Sequence, residues 1–175
     1  MELWDIYDNG RNLTGHTHIR GKPMKDGDNH IVVGIILFNS SGQILITKRS
    51  FEKKGDPGKW ENTAGSIIAG ETSIQGAVRE LFEETGIKVL PDDLFLLTTI
   101  NRNVKHCFVD VYITKKDIPL SELVFQKGET CDAKWITFDE WEDLLHNREV
   151  VFAVKDNFGP FSQKVYDYMR SNLYN

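Results

Sequence analysis

The stretch from Thr72 to Gly86 constrains this chain most, because it writes both ends of a helix and two unlike faces into one short segment. Thr72 followed by Gln75 is a capping-box pair, and Gly86 stands where a left-handed C-terminal cap is wanted. At roughly 100° per residue, Glu80, Glu83 and Glu84 share one face. Ile74, Ala77, Val78, Leu81, Phe82 and Thr85 gather on the other side. The spacing therefore predicts a helix over 72–85, buried on one side and carrying three carboxylates within one turn on the other. Like charges at i,i+3 and i,i+4 cost a helix only a few tenths of a kcal/mol, about what any acidic surface face tolerates. A hard cation such as Mg²⁺ would turn the same repulsion into binding, since it takes a few carboxylates together with phosphate oxygens and water. The helix alone does not choose between these two readings.

Its neighbours add to the second. Gly65 and Gly70 allow a tight loop whose backbone approaches a ligand closely. Glu71 lies at the positive end of the helix, where a carboxylate is favoured in any case. Arg79 flanks the acidic face and could hold one glutamate by a bidentate pair, or make a plain i,i+4 pair with Glu83.

Taken whole, Gly65 to Ile87 reads glycine, five residues, glutamate, seven residues, then Arg79-Glu80-Leu81-Phe82-Glu83-Glu84-Thr85-Gly86-Ile87. This resembles the complete Nudix box without departure. Seven fixed identities at ordinary residue usage make a chance match rarer than roughly one in a million, so the signal is specific although the box spans little of the chain. The resemblance implies an α+β fold, the family's α/β/α sandwich around a mixed sheet. It implies a loop-helix-loop binding Mg²⁺ or Mn²⁺, with Glu80, Glu83, Glu84 and the Gly65 carbonyl as ligands, and Arg79 and Glu71 orienting them. The expected activity is hydrolysis of the diphosphate link of a small molecule, typically a nucleoside diphosphate derivative. The general base varies among relatives; Glu129, in a loop ahead of the Trp135 strand, is the candidate outside the box.

The layout before the box, from Trp4-Asp5-Ile6-Tyr7-Asp8 through His30 to Lys48-Arg49-Ser50 and Pro57-Gly58-Lys59-Trp60, is similar to the branch that holds isopentenyl-diphosphate isomerase. That isomerase uses a cysteine near the start of the box, and the stretch Trp60 to Gly65 has none. Hydrolysis is therefore preferred over isomerisation, with a non-catalytic ligand-binding module as the third reading. Arg20, Lys22, Lys48, Arg49 and Lys59 are candidates to contact phosphates. Arg49 is chosen because it follows a core strand, and Trp60 is the candidate to stack on a ring.

The rest of the chain frames this site. Its 175 residues suit a single domain, with a polar N-terminal extension over about 1–27. Strands are expected at Leu3–Tyr7, Ile31–Phe38, Gln43–Lys48, Leu94–Ile100, Phe108–Thr114 and Ala133–Ile136. The segment His16 to Asp28 reads as loop. A short helix is expected around Asp139 to Leu145 and a last one from Pro160 to Asn172. A net charge of -5 with no basic run argues against nucleic acid as a partner and for a cation in any phosphate chemistry. Cys107 and Cys131 lie outside any CxxC spacing and read as free thiols. No basic-then-apolar leader and no bilayer-length apolar run appear, so the expectation is a cytoplasmic protein without membrane contact. Dimers are common among the relatives, so a homodimer stays open.

Overall fold

The computed structural model describes residues 1–102, 105–146, 150 and 159–173. Two long apolar runs form its centre: β3 (His30–Phe38) and β8 (Cys107–Lys115) pair in parallel, from His30 opposite Cys107 to Phe38 opposite Lys115. Runs apolar at nearly every position belong to strands covered on both faces. The side chains divide accordingly. Val33, Ile35 and Leu37 of β3 and Phe108 and Tyr112 of β8 pack with Ala77 and Leu81 of the helix α1 (Ser73–Thr85). Ile36, Phe38, Val109, Val111 and Ile113 pack on the opposite face. There they meet Trp141 and Leu145 of α2 (Phe138–His146) and Val165 and Met169 of α3 (Ser162–Asn172).

Around this pair the sheet is antiparallel, which makes it mixed and the molecule an α/β/α sandwich. β4 (Ile44–Arg49) returns from β3 across the Asn39–Gly42 turn and pairs with β9 (Thr130–Ile136) and with the two-residue β5 (Trp60–Glu61). β6 (Ala64–Ser66) pairs with β3, and β7 (Phe95–Arg102) with β8. Among the described residues no helix is long and apolar enough to cross a membrane.

One expectation is overturned before β3. Leu13–Ile19, largely inside the stretch read as loop, is the strand β2, which pairs with β1 (Leu3–Tyr7) to make a separate two-stranded sheet. His16 and His18 therefore lie in a strand. β2 is exposed along nearly its whole length, so it shows none of the alternation that marks a half-buried strand; backbone pairing to β1 holds it. Pro160 also stands earlier than expected, in a 3-10 turn (Gly159–Phe161) ahead of α3.

Candidate functional site

The helix α1 is bounded as its sequence requires. Thr72 and Gln75 form the capping box, and Gly86, at φ 76°, closes the helix with its N–H on the Phe82 carbonyl. Its faces differ from the simple two-sided reading. Ala77, Leu81 and Thr85 are fully buried, but Glu84 is buried too and Phe82 is 47% exposed. The reason is the stripe 77, 81, 84: i, i+4 and i+7 continue one helical face, so Glu84 extends the apolar stripe into the protein.

Arg79 fixes the acidic side through three carboxylates. Arg79 grips Glu71 with Nε and Nη2 at 2.8 and 2.9 Å, and its Nη1 reaches Glu80 at 2.8 Å and Glu83 at 3.0 Å. The bidentate and the i,i+4 readings of Arg79 thus both hold. Glu71 also accepts from the Ile68 N–H at 3.1 Å, and Arg79 donates to the Ser66 carbonyl at 3.1 Å. These bonds staple the loop 65–71 to the helix. Gly65 approaches so closely that a Cβ there would fall on the Glu80 carboxylate, which explains glycine at this position without any appeal to dihedral freedom.

Glu84 is electrostatically unusual. Burial first, then the neighbouring carboxylates of Glu61 and Glu80, push its acid well above the ordinary range, while Lys53 and a Thr63 hydrogen bond offset only part. Its Oε2 is buried with no hydrogen-bond partner. Burial likewise raises Glu80, against the lowering effect of Arg79, and raises Glu61 against Arg49.

Above these groups lies a cleft of about 280 Å³ whose walls carry Glu2, Glu80, Glu83, Glu84 and Glu129 against Arg20, Lys53 and Arg79. The Gly65 loop and Gln126 complete it. Five carboxylates against three cations leave a net acidic hollow. Glu129 is paired with Lys53 within its lining, and burial, then the charge of Arg49, lower the Lys53 ammonium. Among the described residues no three acidic, histidine or cysteine side chains converge as a ready-made cation site, and Arg79 engages Glu80 and Glu83. The donor set nevertheless fits a hard divalent cation, since a buried, unpartnered carboxylate oxygen beside other carboxylates needs positive charge.

Of the sequence candidates, Arg20, Gly65, Arg79, Glu80, Glu83, Glu84 and Glu129 come together in this cleft, while Lys22, Lys48 and Lys59 are not among its lining residues. Arg49 and Trp60 do not line it either. Arg49 places Nη1 on both oxygens of Glu61 at 3.1 and 2.9 Å and Nε on the Gly55 carbonyl at 3.0 Å, with its side chain 17% exposed. Trp60 packs beneath the ammonium groups of Lys48 and Lys134, 5.2 and 4.4 Å from its ring. Three residues escaped the sequence reading as site components: Lys53, Glu61 and Glu2. Lys53 and Glu2 arrive from distant loops and ends, with no local pattern to mark them. Glu61 had one signal, a lone acid inside the Trp60–Gly65 run leading into the box. Cys107 is buried and Cys131 exposed, both as free thiols outside the cleft.

Comparisons with known proteins show the family and the fold. The model of the NUDIX domain matches residues 28–154. An uncharacterized Nudix hydrolase of Listeria monocytogenes is 40% identical over 86% of this chain and 89% of its own length. The isopentenyl-diphosphate Delta-isomerase of Cutibacterium acnes is 29% identical over 75% of this chain and 74% of its own. Among solved structures, the DR0079 protein of Deinococcus radiodurans superposes with a TM-score of 0.71 at 22% identity, covering 86% of this chain and 92% of that one. At that identity the likeness speaks for the fold alone.

Proposed function

The chain belongs to the NUDIX family of pyrophosphohydrolases, and from that premise we propose that it hydrolyses the diphosphate link of a small molecule with Mg²⁺ or Mn²⁺ on the acidic face of α1. The observation that carries this reading is the buried Glu84 carboxylate, one oxygen of which has no hydrogen-bond partner, beside Glu61 and Glu80 at the cleft. A carboxylate so placed is costly unless a cation or proton answers it.

In this reading Glu80, Glu83, Glu84 and the Gly65 carbonyl would hold the cation. When bound, it supplies an acidified water and a charge sink for the phosphate oxygens. The protein's own side chains position the rest. Glu71 and Ser66 keep Arg79 fixed, so that the helix face and the Gly65 loop stay in register. Glu129, held by Lys53, is the candidate to take a proton from the attacking water, and Lys53 is a candidate to receive phosphate charge. Most of the rate enhancement comes from such fixed electrostatics and positioning. The acidic hollow argues against nucleic acid as a partner, and two free thiols suit the reducing cytoplasm. The isomerase alternative draws no support from the site, because neither cysteine lines it.

The test is phosphate or nucleotide release across ADP-ribose, dinucleoside polyphosphates, NADH, nucleoside triphosphates, CoA and prenyl diphosphates, with and without Mg²⁺ or Mn²⁺. Metal-dependent release should fall at least about a hundredfold in Glu84→Gln and strongly in Glu83→Gln, with the fold intact. Unchanged rates in both variants would refute the assignment. Ligand affinity kept by Glu84→Gln, with no turnover by either protein, would instead mark a binding module.

A further inference from the structure

The family match begins at residue 28, so the β1–β2 hairpin lies outside it, yet the hairpin is fastened to the site at several points. The Ala69 N–H donates to the Leu3 carbonyl at 2.8 Å and the Gly70 N–H to Asp5 Oδ2 at 2.7 Å, both from the loop ahead of α1. Tyr7 and Asn29 exchange backbone hydrogen bonds at 2.7 and 2.8 Å. The Trp4 indole stacks on His30, ring centroids 4.0 Å apart and planes 9° off parallel. At the turn, Arg11 makes a bidentate pair with Asp110 at 2.7 and 2.5 Å, and Ser73 at the start of α1 donates to the same carboxylate.

This docking places Glu2 and Arg20 in the cleft wall. Arg20 donates from Nη1 to Glu2 Oε2 at 2.8 Å, while Trp4 Nε1 holds the other oxygen of Glu2 at 2.8 Å. Of the three cations lining the cleft, Arg79 serves three carboxylates and Lys53 is tied to Glu129. The Arg20 side chain is 60% exposed. An ion pair that exposed is weak, and a phosphate accepts the guanidinium fork at least as well as a carboxylate does. Arg20 can therefore change partners at less cost than either neighbour.

We propose that the N-terminal hairpin builds an anion subsite at the mouth of the cleft, in which Arg20 exchanges Glu2 for a phosphate oxygen of the substrate's diphosphate. The subsite rests on the diphosphate reading above and deepens it. It assigns the extension a direct part in recognition, with Glu2 as the internal competitor that keeps Arg20 in place while the cleft holds no substrate.

The experiment is calorimetric titration of the full chain with methylenediphosphonate, a non-hydrolysable diphosphate, in the presence of Mg²⁺. Arg20→Met should weaken binding at least about tenfold, the loss expected for a hydrogen bond to a charged group, and Arg20→Lys should recover part of it. Glu2→Gln should tighten binding, an effect that a merely structural pair would not give. Melting midpoints close to the parent's would show that the fold persists. The proposal is overturned by a parent that does not bind the phosphonate, by Arg20→Met binding within twofold of the parent, or by Glu2→Gln weakening it as Arg20→Met does. Diphosphate turnover, followed alongside, separates the two readings. Turnover with Arg20→Met unaffected in binding removes the subsite alone. No turnover of any diphosphate, with phosphonate binding lost in Arg20→Met, removes the hydrolase and leaves the subsite.

Discussion

At the scale of single residues, the decisive group is Glu84, and its environment makes a pH-dependent prediction. Its acid is raised in the folded state above the ordinary 4.5, chiefly by burial and then by Glu61 and Glu80. The folded protein therefore binds that proton more tightly than the unfolded chain, and the associated stability falls as pH climbs from about 4.5. In metal-free protein the melting midpoint should drop across that window. Saturating Mg²⁺ should offset the drop, and Glu84→Gln should flatten it. A metal-free Glu84→Gln protein with the same slope as the parent would show that Glu84 is not the source. Gly65 gives a second test at this scale. Gly65→Ala should displace the Glu80 carboxylate, lowering metal affinity and turnover more than thermal stability, which calorimetry and a melting curve would separate. The sequence displayed Glu80, Glu83 and Glu84 but not their inequality. Glu84 differs because the 77–81–84 stripe carries it inward, and only packing against β3 and β8 reveals which flank of the helix is covered.

At the scale of elements, α1 is the part most fully legible from sequence, since its ends are local hydrogen-bonding problems with local solutions. Thr72→Ala removes the capping box and should cost about 1 kcal/mol. Gly86→Ala should cost more, roughly 1–2 kcal/mol, because the left-handed φ of 76° disfavours a side chain and a Cβ would also press on Val124. Urea titration of both variants checks the order; a Gly86→Ala protein as stable as the parent would mean that the helix end simply refolds. The apolar strands were legible for a different reason. A run such as Ile31 to Phe38 has no soluble alternative to burial on both faces. β2 was not legible, because a strand exposed along nearly its whole length carries no periodic burial signal.

At the scale of the whole molecule, the N-terminal hairpin is joined to the sandwich by Arg11 and Asp110. Asp110 is 1% exposed and also accepts from Ser73 and Thr99, bonds that with Arg11 outweigh burial and hold its acid below the ordinary 3.8. Its pairing stabilises the fold above that value and is lost as pH falls through the lowered one. Arg11→Met leaves a buried carboxylate short of its cation and should cost about 3 kcal/mol at neutral pH. The gap to the parent should narrow towards pH 4, as the stranded acid takes up a proton; a gap independent of pH would assign the loss to packing alone. The sequence by itself determined the helix α1, its caps, the loop that feeds it, the family and the central strands. Each of these depends on residues close in the chain or on apolar runs that admit one fate. The tertiary structure alone decided that Lys53 meets Glu129, that Arg49 is tied to Glu61 rather than lining the cleft, and that Glu2 joins Arg20 in its wall. Those pairings join charges far apart in sequence, and a charged residue carries no local sign of which distant partner the folded chain will bring to it.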